Sequence, residues 1–156
     1  MTIGQIAPDF SLPTDDDHSV TLTNLNGKTI ILYFYPKDDT TGCTAQAIAF
    51  SGLKTAFDAA GAVVIGVSKD KLSSHKKFRQ KYDLTIILAS DAESHVAESF
   101  GVWVEKSMYG RKYMGMERST FIIDADGKIA HIWRKVKVAG HGEEVLKVVQ
   151  KLGEQS

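Results

Sequence analysis

The sequence predicts an α/β fold, a central mixed β-sheet flanked by helices. Two observations carry this expectation. Apolar runs at strand length, such as TIILYFYP and AVVIGVS, alternate with stretches whose apolar residues recur every three or four positions. The alternation then ends in a hairpin and a last helix rather than another crossover, so parallel and antiparallel strands share one sheet. The chain has 156 residues, 43% hydrophobic and 24% charged, which suits one globular domain over 1–156 with no linker, repeat or low-complexity segment.

The elements run in order. PTDDDHSVTLTNLNGK is rich in turn formers and is expected to form an N-terminal β-hairpin extension, with DDD at 15–17 as a solvated turn. Asn26-Gly27 signals a turn just before TIILYFYP, the first long strand. Residues 44–59 read as one helix with Ala47, Phe50, Leu53 and Phe57 on one face, closed by Gly61. AVVIGVS is a second buried strand. DKLSSHKKFRQKY is helical, with His75, Phe78 and Tyr82 on one stripe; TIILASD is a third strand and SHVAESFGV a short helix. RSTFIID and KIAHIWRKV flank the Asp-Gly turn of ADGK, and RKVK at 134–137 alternates as an exposed strand should. The last helix starts near His141, carries Glu143 and Glu144 at its positive end, and buries Val145, Val149 and Leu152.

Composition excludes several functions. Lys plus Arg and Asp plus Glu are both 19, leaving zero formal charge and no electrostatic footprint for nucleic acid or an anionic membrane. No apolar run approaches the ~20 residues that span a bilayer. MTIGQIAPDF shows no secretory signal, and a single cysteine forms no intramolecular disulfide, so a cytoplasmic location is expected. His18, His75, His95, His131 and His141 lack metal-ligand spacing, so no metal or cofactor is expected and the histidines should be exposed or satisfied in the core.

The chemistry concentrates in YPKDDTTGC, residues 35–43, which ends in that lone cysteine. In an open α/β sheet, ligands bind where a strand ends and a helix begins. Unpaired N–H groups and the helix dipole at such a junction favour a thiolate. Thr41 has Thr44 rather than an acid three residues on, so no capping box forms and a thiolate could itself take the free donors. Free cysteines are commonly buried and inert. Polar Lys37 to Thr40 and the small Gly42 argue instead that Cys43 lies outside the apolar core, in a reactive position.

PKDDTTGC matches Pro-x-x-x-Thr-x-x-Cys, with Pro36, Thr40 and Cys43 in register, and thereby resembles the active-site motif of peroxiredoxins. YFYPKDDTTGCT, GQIAPDFSL, VVIGVSKD and ERSTFIID extend the likeness along the chain to the bacterioferritin comigratory protein, or peroxiredoxin Q, subfamily. The resemblance implies a thioredoxin-like fold and a monomer that reduces hydrogen peroxide or organic hydroperoxides through a peroxidatic cysteine. It assigns peroxide hydrogen bonding to Thr40, shielding of the thiolate to Pro36, and polarisation of sulfur and substrate to Arg118. Gly42 joins Thr40 and Arg118 in binding substrate through its backbone N–H. Taken alone, Thr40 reads as a turn hydroxyl, Pro36 as a strand terminator and Arg118 as a surface charge; their joint spacing favours the catalytic reading.

Deprotonation by itself accelerates little. Lowering a thiol pKa from about 8.5 to ~6 raises the thiolate fraction at neutral pH roughly 25-fold. Nucleophilicity falls along with it, by on the order of tenfold at a Brønsted coefficient of about 0.4–0.5, so the net gain is about two- to threefold. Donors aimed at the peroxide oxygens should matter more, since losing one costs ~10²–10³ in rate. Thr40, Arg118 and the N–H groups of Gly42 and Cys43 are the candidates.

Relatives of this kind often carry a second, resolving cysteine at the positions of Ile48 or Leu84. With neither present, the sulfenic acid must meet an external thiol: thioredoxin, glutaredoxin or glutathione. Gln46, where relatives often have an acid, leaves the local hydrogen bonding open. VWVEKSMYGRKYMGM is compatible with a pocket wall, a docking surface or a plain packed hairpin. Two other readings compete. A thioredoxin-type oxidoreductase is disfavoured because Thr40 stands where Cys-x-x-Cys needs its first cysteine; a non-catalytic peroxide-sensing or redox-interaction module would be oxidised without turnover.

Overall fold

The computed structural model describes residues 1–154. Its centre is a five-stranded sheet in the spatial order β5 (Ile87–Ser90), β4 (Ala62–Ser68), β3 (Thr29–Phe34), β8 (Ser119–Ile123) and β9 (Ile129–Trp133). β3 lies in the middle, parallel to β4 and antiparallel to β8. A strand covered on both faces must be apolar at every position, which explains the unbroken TIILYF. Alternation sends Ile30, Leu32 and Phe34 into one apolar cluster, and Ile31, Tyr33 and Tyr35 into the other. Gly66 pairs with Tyr33, and a Cβ there would lie 2.8 Å from the Tyr33 ring and hydroxyl, so glycine makes room for the tyrosine.

β5 extends the parallel side and β9 the antiparallel side. The helix expected at 44–59 is two helices: α1 (Thr41–Gly52) begins three residues earlier, and α2 (Lys54–Ala59) comes after a break at Leu53. Gly52 weakens the helix there, and the Leu53 N–H turns to the Phe50 carbonyl (3.1 Å). Phe50 and Phe57 still both face inward, with ring centres 6.0 Å apart. α3 (Leu72–Tyr82) ends at Asp83, whose φ of 54° closes the helix while the Leu84 N–H reaches the Arg79 carbonyl. α4 (Val96–Ser99) starts where the buried Asp91 accepts the N–H groups of Val96 and Ala97. α5 (His141–Glu154) buries Val145 and Val149, with Leu152 half-buried at the margin.

The N-terminal hairpin forms from β1 (Ser11–Pro13) and β2 (Ser19–Thr21), and Leu12 and Val20 plug into the core. Its DDD turn is not wholly solvated: Asp15 is buried and accepts Arg79 Nη2 of α3 at 2.9 Å, because a carboxylate so placed needs a cation. Residues 134–137 are exposed or nearly so but do not form a strand. Lys135 adopts φ 49° and stops the ladder at Trp133, while Arg134 turns to Glu117 at 2.6 Å. The stretch before β8 is a separate two-stranded sheet, β6 (Trp103–Met108) and β7 (Arg111–Met116). Tyr109 and Gly110, both at positive φ, make its two-residue turn. Among the described residues no helix is long and apolar enough to cross a membrane.

Candidate active site

Strand pairing assembles the site. Phe34 pairs with Ser119 across antiparallel strands, so the loop leaving β3 lies beside the residues that lead into β8. Phe34 also pairs with Val67, which brings Ser68 to Asp70, at the end of β4, against the same loop. The cysteine turn and Arg118 therefore meet at the carboxyl edge of the parallel strands, 75 residues apart in sequence.

Cys43 is the third residue of α1, after Thr40 as N-cap in an extended conformation. The Thr44 N–H is the first to find its helical carbonyl, that of Thr40, at 2.8 Å. Among the described residues the N–H groups of Gly42 and Cys43 have no acceptor and belong to the positive end of the helix. Arg118 Nη2 donates to Cys43 Sγ at 3.3 Å, and its Nη1 donates to Gln46 Oε1 at 2.7 Å. Glu117, the adjacent carboxylate, is engaged by Arg134. The guanidinium thus has a neutral amide and the sulfur as partners. Gly42 permits this approach, since a Cβ there would sit 3.1 Å from Nη2.

Cys43 is 1% exposed and packs in the cluster with Tyr33, Tyr35 and Phe50, contrary to the expectation of a thiol outside the core. The polar run before it is a surface loop, but the helical turn rolls the side chain inward. Pro36 and Thr40 are both exposed. The Thr40 hydroxyl donates to the Lys37 carbonyl at 2.9 Å, closing the turn rather than touching sulfur. Among the described residues three buried polar atoms on α1 and the strand beneath it have no partner: Tyr33 Oη, Thr44 Oγ1 and Gln46 Nε2. Burial, and then the negative charges of Cys43 and Asp38, push the Tyr33 hydroxyl far above its ordinary range, so it keeps its proton. Behind them, His141 is held below its ordinary value of 6.5 by burial, shares a hydrogen bond with Thr120 Oγ1 (2.8 Å) and stands edge-on to Phe50.

A second buried polar group, its carboxylate unmarked by any local sequence pattern, lies beside the thiol turn. Asp38, buried within the motif, accepts Tyr35 Oη at 2.6 Å on one oxygen; Ser74 Oγ (2.8 Å) and His75 Nδ1 (2.7 Å) meet the other. The Asp38 N–H donates to Asp70 Oδ2 at 2.9 Å, and Asp70 is held by Ser68 Oγ. His75 was expected to be either exposed or satisfied in the core, and it is fully buried and satisfied. Tyr33 and Tyr35 offered one sequence signal: two polar-tipped rings in an otherwise aliphatic strand. Among the described residues no three His, Cys, Asp or Glu side chains gather closely enough to hold a metal ion.

Known proteins resemble this chain over most of its length. The AhpC/TSA family matches residues 3–132. A putative peroxiredoxin Bcp of Coxiella burnetii is 50% identical over 92% of this chain and 95% of its own length. The Bacillus subtilis peroxiredoxin Bcp is 46% identical over 98% of each. Among solved structures, a cysteine-to-serine mutant of Xylella fastidiosa peroxiredoxin Q superposes with a TM-score of 0.92 at 36% identity, covering 97% of both chains. The bacterioferritin comigratory protein of Xanthomonas campestris, studied for alkyl peroxide reduction, gives 0.88 at 39% identity over 92% of both.

Proposed function

This chain belongs to the AhpC/TSA family, on its peroxiredoxin Q branch, and on that footing we propose that its thiol-dependent peroxidase activity runs through Cys43 as attacking sulfur and Arg118 as the group that orients it. The observation that supports this is the Arg118 Nη2 donor 3.3 Å from Sγ, at a helix end where the N–H groups of Gly42 and Cys43 have no acceptor among the described residues. A thiolate there attacks the nearer peroxide oxygen: an S–O bond forms, the O–O bond breaks, and the leaving oxygen departs as alkoxide or hydroxide and takes up a proton. Cys43 becomes a sulfenic acid. Arg118 and the N–H groups of Gly42 and Cys43 stabilise charge as it builds on the oxygens. Thr40 joins them by turning its hydroxyl from Lys37 towards substrate, and Pro36 walls the entrance.

The second half-reaction needs an outside thiol, because Cys43 is the sole cysteine. Ile48 and Leu84 cannot resolve it; the first is 48% exposed and the second buried. A thiol larger than a peroxide reaches a sulfur that is 1% exposed when the first turn of α1 opens. The proposal extends to thioredoxin, glutaredoxin or glutathione as reductant, and to a one-domain cytoplasmic monomer. The test is peroxide consumption over many turnovers with each reductant in turn, using hydrogen peroxide and an organic hydroperoxide. Sustained loss with at least one thiol is expected. Oxidation of Cys43 that stops after one equivalent with all three would instead mark a sensing module.

A further inference from the structure

We propose that Asp38 and His75 are positioning residues for the peroxidase reaction: a buried, charged clamp that fixes the cysteine turn against α3. The inference rests on the reading of Cys43 as the reactive sulfur. Each ring nitrogen of His75 faces an acceptor, Asp38 Oδ2 at 2.7 Å and the Ala89 carbonyl at 3.0 Å. A carbonyl has no proton to give, so Nε2 carries one. Asp38 in turn receives the hydroxyls of Tyr35 and Ser74, an environment of donors that suits a carboxylate. The second proton therefore sits on Nδ1, and the ring is an imidazolium paired with a carboxylate. With side chains 0% and 3% exposed, the pair is shielded from water and from salt.

The pair's position gives it leverage. Asp38 precedes the N-cap Thr40 by two residues and Cys43 by five, and the intervening Asp39 is in the left-handed region at φ 60°. Asp39 also reaches α3, through Lys81 Nζ at 2.8 Å and Tyr82 Oη, but that contact is exposed. Exposed ion pairs contribute little, whereas removing one member of a buried pair leaves an uncompensated charge. Asp38–His75 is thus the grip that holds the turn, and Lys81–Asp39 is secondary. Slippage of the turn moves the Gly42 and Cys43 donors and the sulfur relative to Arg118; a misplacement of ~1 Å can cost about 10²-fold in rate.

The experiment uses D38N, H75Q and, as the control, K81A in the full chain, with two rates measured for each. One is single-turnover reaction of Cys43 with hydrogen peroxide, and the other is its alkylation by iodoacetamide. Release of the clamp should slow peroxide reaction by about tenfold or more while alkylation speeds up severalfold, because the turn opens and exposes the sulfur. K81A should stay within about twofold of wild type in both. D38N and H75Q proteins with wild-type circular dichroism but any other pattern, including parallel loss of both rates, would overturn the clamp. If neither variant folds, a long-range ¹⁵N–¹H spectrum of the wild-type His75 ring decides: two ring N–H groups support the clamp, and one overturns it. Neither alkylation nor the spectrum depends on peroxidase turnover, so failure of the clamp is distinguishable from failure of the functional proposal.

Discussion

Replacing Arg118 with methionine keeps the length of the side chain and removes both its charge and its donors. A unit charge pair separated by the observed 3.3 Å is worth about 5 kcal/mol at an effective dielectric of 20 and about 1 kcal/mol in water. Arg118 is half-buried, so screening places the loss nearer the lower figure, at about 1–3 kcal/mol, which lowers the thiolate population by at most roughly 5- to 150-fold. The thiolate that remains is more nucleophilic, which recovers about half of this on a logarithmic scale. Loss of thiolate alone then slows the reaction by at most about 2- to 12-fold. Losing a donor aimed at the developing oxyanion costs a further ~10²–10³. The R118M variant should therefore react with peroxide at least about 10²-fold more slowly. Stopped-flow oxidation gives the rate, and ultraviolet thiolate absorbance at the same pH gives the population. A slowdown below about tenfold that tracks the thiolate absorbance would refute the primacy of donors over deprotonation.

Three other perturbations bear on the site. Thr40→Val should slow peroxide reaction well over tenfold at nearly constant thiolate absorbance, with Thr40→Ser restoring most of the rate, both read by stopped flow. His141 is disfavoured as a cation by burial, so the unfolded chain takes up a proton that the native state resists. Stability is therefore full above pH 6.5 and declines as pH falls below it; His141→Gln should flatten the melting temperature against pH in that window. Gly66→Ala puts a methyl 2.8 Å from Tyr33. Such overpacking costs about 1–3 kcal/mol, a drop of roughly 2–12 °C in melting temperature by calorimetry.

Much of the architecture could be read before any coordinates, for a physical reason. AVVIGVS is apolar up to its terminal serine because both faces of its sheet are covered, and it is a strand over the residues expected, Ala62–Ser68. Spacing also located the cysteine turn, and the resemblance located Arg118, which strand pairing delivers to the sulfur. What local pattern could not show were partners distant in sequence. Asp15 reads as part of a solvated turn and Asp38 as one of a polar run, yet both are buried against Arg79 and His75, 64 and 37 residues on. The same limit hid the burial of Cys43, because a polar loop says nothing about which way the next helical turn faces. The runs through Leu53 and Lys135 end where one residue's dihedral angles leave the helix or the strand, and periodicity averages over single residues.

Exchange of one atom remains, the Cys43 sulfur for the oxygen of serine. Wild type should consume hydrogen peroxide continuously in the presence of a thiol reductant, and Cys43→Ser should fall to the rate of the reductant alone while folding normally. Turnover by the serine variant at a comparable rate would show that this helix end is not where the O–O bond is broken.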